Sequence, residues 1–169
     1  MTIEDLRELL EYHYWARDRV LDAVTPLTLE QYDRHLSSSF PSIRATLVHT
    51  YSAEWVWHSR WEGRSPSAPL AIDMFPDAPS LRLAWVEHEG RIRALLASFG
   101  EADLARRFDY TLISGSPGNS SLQQMVQHVV NHATYHRGQV TTMLRQMGVA
   151  PPKSMDMIQF FRERSVTSG

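Results

Sequence analysis

Three histidines, His128, His132 and His136, recur every four residues in the stretch HVVNHATYHRGQV. On a helix a spacing of four returns to nearly the same face, offset by roughly 40°, so His132 and His136 stack one turn apart and both imidazoles can reach one ion. The HExxH metalloprotease helix uses the same spacing. Here, however, Ala133, Thr134 and Tyr135 stand between the two, and the glutamate that serves as general base in such proteases is missing. The protease reading fails on that residue. His128 lies roughly 80° round the helix and about 12 Å along its axis from His136, too far for one ion with bonds of about 2 Å to take all three.

A third ligand should therefore come from another helix, and His49 is the best placed. It lies mid-helix, and Ala45, Ser52, Ala53 and Val56 on its own face leave room for an ion and something bound to it. His58 falls roughly 180° away on that helix. His58, His35 near a helix end and His88 among charged neighbours are expected to be solvated. Glu54, five residues from His49, faces elsewhere and is a poor ligand or base. An HxxxH pair also arises by chance, and an inward histidine is commonly a hydrogen-bonded core residue, so spacing alone leaves metal and structural roles evenly balanced. The candidate ligands are His49, His132 and His136, with His128 beside the site rather than on the ion.

The elements that must position these residues follow from a 3.6-residue apolar period. Leu6, Leu10, Tyr14, Val20, Leu21 and Val24 mark a helix from Thr2, its N-cap, to about Val24. Thr28 and Gln31 read as a capping box for a short helix fading near His35, before the loop SSSFPS. Ser42 opens a long helix to about Glu62, ended by GRSPSAP. A third long helix spans Ser80 to Phe99. Between Arg106 and Ile113 the run RFDYTLI has strand-like composition, but as one isolated segment it supports only a short arm. SGSPGNSS reads as a loop, and Ser120 with Gln123 as the capping box of a fourth long helix reaching Met147 and stopped by Gly148 and Pro151-Pro152. MDMIQFFRER suggests a short C-terminal helix. Four long amphipathic helices point to an all-α four-helix bundle, and the long connections allow a crossover.

Composition narrows the partners. The 169 residues, 43% of them apolar, suit one domain, residues 1–169. With 17 basic against 19 acidic residues and no Lys/Arg block, nucleic acid is not an expected partner. No stretch reaches transmembrane length and the N-terminus lacks a signal-peptide pattern, so no membrane association and a cytoplasmic location are expected. Cysteine is absent, so a metal must be held by nitrogen and oxygen, and any thiol chemistry needs sulfur from outside.

HVVNHATYHRGQV closely resembles the signature of the DinB/YfiT-like family of metal-dependent enzymes, in which a fourth helix carries H-x-x-x-H-x-x-x-H-R-G-Q. YHYWARDRVLDAV resembles that family's opening segment, and LVHTYSAEWVW its second helix with a mid-helix histidine. The three segments occur in the family's order and span most of the chain. The resemblance implies a bundle with a crossover connection, often a homodimer, that binds a divalent ion such as nickel or zinc through three histidines: His49, His132 and His136 here, with His128 near the site. Two departures are Ala133, where many members carry glutamate, and His13, where the opening segment often has asparagine. Some relatives resemble thiol-dependent transferases or isomerases that use bacillithiol or mycothiol. For this chain that implies a metal-dependent transferase or hydrolase acting on a small-molecule substrate, with a low-molecular-weight thiol as cosubstrate. The alternative is a non-catalytic metal-binding stress-response protein.

Other features have plainer expectations. Trp55, Trp57, Trp61 and Trp85 at helical spacing read as packing rather than a substrate wall. Gly138 inside a helix costs about 1 kcal/mol relative to alanine, so close approach of a neighbouring helix would explain it. Arg137 is a candidate to pair with a carboxylate or an anionic ligand. Tyr135 faces away from the histidine column, and Asp109 and Tyr110 could reach the mouth of the site.

Overall fold

The computed structural model describes residues 1–167. Six α-helices and one hairpin follow in the order α1 (Ile3–Val24), α2 (Leu29–Tyr32), α3 (Ile43–Trp61), α4 (Ala78–Ala97), β1 (Arg107–Thr111), β2 (Pro117–Ser121), α5 (Leu122–Gln146) and α6 (Met157–Thr167). The long helices start where side chains satisfy their orphan amides. Thr2 and Asp5 form a reciprocal capping box on α1, Asp77 and Ser80 one on α4, and Ser42 caps α3. At the far end of α5, Gly148 adopts φ +70° while Val149 N–H donates to Leu144 O, the left-handed stop that glycine allows.

Cross-helix pairs establish the topology. Arg7 reaches the carbonyls of Leu96 and Phe99, while Arg82 meets Asp22, so α1 and α4 run antiparallel. His49 meets His132 and Trp57 meets His128, so α3 and α5 are antiparallel too. Glu54 meets Trp85 and His58 meets His88, which makes α3 and α4 parallel neighbours. The segment 62–77 must therefore travel back along α3, and it is pinned there by Ser52 Oγ, which accepts from Leu70 N–H, and by Arg44, which donates to the carbonyls of Phe75 and Ile72. This is the crossover. With α5 packed against both α1 and α3, the ring order is α1, α5, α3, α4, and α5 has α3 on one flank and α1 on the other.

The apolar core is in two halves. One gathers Leu6, Leu10, Ile92, Leu122, Met125 and Val126, and the other Leu21, Ile43, Leu47, Leu81, Trp85 and Leu144. Between them lies a polar layer of His13, Arg17, Glu54, His88 and Arg137, all buried.

Several boundaries differ from the sequence expectations. RFDYT is no isolated arm: β1 pairs antiparallel with PGNSS, which read as loop, and a Cβ at Gly118 would come within 2.3 Å of the Tyr110 ring. Pairing and that close approach make β2 a strand that lacks any strand-like side chain of its own. The α5 capping box is Ser121 with Gln124, one residue later than Ser120 with Gln123; the Ser120 hydroxyl is taken up by Tyr110, and that of Ser121 accepts from Gln124 N–H. Helix α2 stops at Tyr32, short of His35. Gly138 has open space where a side chain would project, so helix approach does not account for it.

Candidate metal centre

Helix α5 presents His132 and His136 to α3, and His49 meets them from the centre of α3. The Nε2 atoms of His49 and His132 are 3.1 Å apart, as are those of His132 and His136, and the three ligand atoms all lie within 4.8 Å of one another. An ion bonded tetrahedrally at 2.0–2.1 Å would hold its nitrogens about 3.3–3.4 Å apart, so the cluster is close to coordination geometry. No other group of three metal-ligating side chains converges in this way among the described residues.

Burial favours the neutral form of all three rings. Burial, then the neighbouring His136, pulls the His49 imidazole down to about 4. Burial, followed by His136, His49 and His128, pulls His132 down to about 3. His136 is lowered by burial, against the support of Gln139. That support also selects the tautomer: His136 Nδ1–H donates to Gln139 Oε1 at 2.7 Å, which leaves Nε2 to face the other two rings. Gln139 is held in turn by its amide, which donates to Ser39 Oγ at 2.9 Å. One residue on, Phe40 stacks on His49 with ring centroids 4.2 Å apart and packs edge-on against His136. The loop 37–41 is therefore a lid on one side of the cluster.

The other side is more open. His128 is exposed and stacks on His132 at 5.7 Å between centroids, beside the cluster rather than in it. Trp57 contacts His128 and Tyr110, and the Arg60 guanidinium lies over both the Trp57 and Tyr110 rings. Of the tryptophans expected to be core, Trp61 and Trp85 are buried, whereas Trp55 and Trp57 are half-buried. Tyr110 reaches this flank. Asp109 instead accepts from Asn119 across the hairpin. Tyr135 is 62% exposed but does not face away: its ring packs edge-on against His136, with centroids 5.2 Å apart. Ala133 is buried in the bundle, so a longer residue there would face packing rather than the cluster.

Sequence reasoning missed Gln139 and Phe40. Gln139 lies three residues after His136, on the same face of α5, and that spacing was a usable signal. Nothing local points to Phe40, which arrives through a loop about ninety residues from α5 in sequence.

Two expectations fail outright. His58 and His88 are not solvated: each is 4% exposed, with rings 4.7 Å apart between α3 and α4. Aromatic rings cover them, Trp61 edge-on to His58 and Tyr51 edge-on to His88. Glu54, by contrast, turns from the cluster as expected. It accepts from His13 Nε2 at 2.8 Å, from Trp85 Nε1 at 2.9 Å and from the Tyr14 hydroxyl at 3.3 Å. Burial lowers the His13 pKa against the pull of Glu54; with Nε2–H donated to Glu54, Nδ1 faces Arg137 Nη1 at 3.4 Å and accepts from it.

Residues 1–163 match the sequence model of the DinB family. The chain belongs to the DinB family. It is 30% identical over 148 residues to Protein DinB of Bacillus subtilis (strain 168), covering 85% of this chain and 86% of that protein. A crystal structure of a DinB-like protein from Bacillus cereus ATCC 10987 superposes with a TM-score of 0.69 over 90% of this chain and 97% of that one, at 22% identity, and so shares the fold. A bundle with a crossover and a three-histidine group able to hold an ion is thus set in a DinB-family chain. No helix among the described residues is long and apolar enough to cross a membrane.

Proposed function

We propose that this DinB-family protein is a metal-dependent enzyme whose single divalent ion, nickel or zinc, is held by His49, His132 and His136. The convergence of three Nε2 atoms with no carboxylate among them carries this reading. Three nitrogen donors leave a four-coordinate ion one position for an outside ligand, the composition of catalytic rather than structural sites. An ion so held lowers the pKa of a bound thiol or water and polarises a carbonyl. With no cysteine in the chain, the sulfur for thiol transfer comes from a low-molecular-weight cosubstrate. The protein's own contribution is positional. Gln139 fixes the His136 tautomer, Phe40 closes one flank against water, and the flank carrying His128 and Trp57 is left for a small substrate to approach.

Metal analysis of protein purified without a histidine tag tests the ligand set. One equivalent of a divalent ion is expected, lost on replacing His49, His132 or His136 by alanine and largely retained in His128→Ala. An emptied site in His128→Ala with a full one in His49→Ala would overturn the assignment. For the reaction, loaded protein should accelerate transfer of a small thiol to an electrophile, and His132→Ala should abolish the acceleration. A loaded protein inert across a broad panel of thiols and electrophiles would favour a non-catalytic metal-binding protein.

A further inference from the structure

Most cations of the chain lie against a carboxylate: Arg17 meets Asp18 and Glu89, Arg19 meets Glu163, Arg82 meets Asp22, and Arg93 meets Glu11 and Glu89. Arg137, Arg145 and Lys153 have no carboxylate within ion-pair distance among the described residues, and all three line one cleft of about 470 Å³ between α5 and the segment 152–157. Arg137 is the unusual member. It is 4% exposed, so its charge has lost most of its water, and its direct contacts are the hydroxyl of Thr134, the His13 ring and the face of Tyr12, with Glu54 balancing it only from the far side of His13. A buried guanidinium with no carboxylate in direct contact is costly.

The opposite wall is built to hold its shape. Arg19 donates to Ser154 O at 2.9 Å and the Tyr12 hydroxyl to Met155 O at 3.0 Å, tying the loop to α1. The amides of Lys153, Ser154 and Met155 donate to no acceptor among the described residues. The one carboxylate in the lining, Asp156, accepts from the Ser154 hydroxyl and N-terminal to it lies Lys153. Three cations against one carboxylate leave a net charge of +2.

We infer that this cleft is a binding site for a small dianion, of the phosphate-monoester class, with Arg137 as its buried anchor and Arg145 and Lys153 as its rim. The planar guanidinium supplies directed donors to phosphoryl oxygens, and the two exposed cations complete the charge balance. The site is separate from the histidine cluster. Arg137 is one step, roughly 100°, round α5 from His136, and it faces α1 where His136 faces α3. The inference stands whether or not the histidines hold an ion.

Inorganic phosphate is the probe, titrated calorimetrically into both metal-loaded and chelator-treated protein. Saturable binding is expected in both, with a shift of the Arg137 Nε–H resonance. Because Arg137 is buried, the variant that tests the site removes only the exposed rim: R145Q/K153Q should bind about tenfold more weakly or worse. R34Q/R162Q, which removes two exposed cations elsewhere, should bind as the parent does. Equal weakening in both variants would reduce the effect to overall charge. Binding that needs the loaded ion and survives R145Q/K153Q would place phosphate on the metal instead. Absence of binding at millimolar phosphate in either form would also overturn the inference.

Discussion

The bundle contains two histidine-rich regions, and they differ in almost every physical respect. Around Glu54, the rings of His13, His58 and His88 are sealed between α1, α3 and α4, and a carboxylate with three donors sits at the centre. Around His132, His49 and His132 are half-buried and His136 is buried, and three nitrogens face one another with no carboxylate to receive their protons. The first arrangement gives His13, Tyr14 and Trp85 one acceptor inside a core, while the Nε2 atoms of His58 and His88 are buried without a partner among the described residues. The second brings three ring nitrogens to one point, an arrangement that a cation at their centre would satisfy together. Histidine as a residue type therefore says little about role, and what its nitrogens face says a great deal.

That contrast can be broken most directly at Glu54. Glu54→Ala strands the donors of His13 and Trp85 and removes a buried charge, so a loss of about 3–5 kcal/mol is expected in denaturant unfolding, with metal content per folded molecule unchanged. Were His49→Ala to destabilise the metal-free protein more than Glu54→Ala does, the two regions would have the opposite roles.

Removing the ion should act less severely. The two apolar half-cores do not depend on it, so helical circular dichroism should survive chelation while the melting temperature falls. The loss is about 2.7 kcal/mol when free metal had been a hundred times its dissociation constant. An apo protein without helical signal would make the ion structural.

A smaller effect weighs the two regions by pH. Burial, then the neighbouring His88, holds His58 down to about 4, and burial also lowers His88. As pH falls below the ordinary value of 6.5 the unfolded chain takes up these protons first. Stability should therefore be level above pH 6.5 and decline from there towards pH 4, by up to about 1.4 kcal/mol per pH unit for each histidine. In chelated protein burial also holds His132 down to about 3, so the decline should lessen in His132→Ala as well as in His58→Phe. A decline lessened in His132→Ala and unchanged in His58→Phe would mean that the cluster alone carries the proton linkage.

Gln139→Leu probes the finest distinction. It frees His136 to adopt the other tautomer without touching the three nitrogens, so metal affinity should drop about tenfold with the fold intact. Unchanged affinity would show that Gln139 does not position the ring.

The elements were legible where the physics is local. Thr2, Thr28 and Ser42 announced their helices because a cap needs only a hydroxyl and an amide two or three residues on. His132 and His136 announced a shared face because one turn of helix brings them together. Strand β2 was invisible because PGNSS earns its conformation from Tyr110 across the hairpin. Phe40 was invisible because loops carry no period.

The sequence by itself determined the four long helices, the absence of any thiol ligand, and which histidines of α5 could share an ion, since these depend on residue type and spacing within a few turns. Tertiary structure decided that His49 completes the cluster's geometry while His58, nine residues along the same helix, is sealed beside His88. It also decided that Glu54 belongs to His13, and that Arg137 faces a basic cleft rather than a carboxylate. These depend on which flank of each helix meets which neighbour. The crossover between α3 and α4 sets that order by making the two parallel, and the apolar period alone is compatible with either direction.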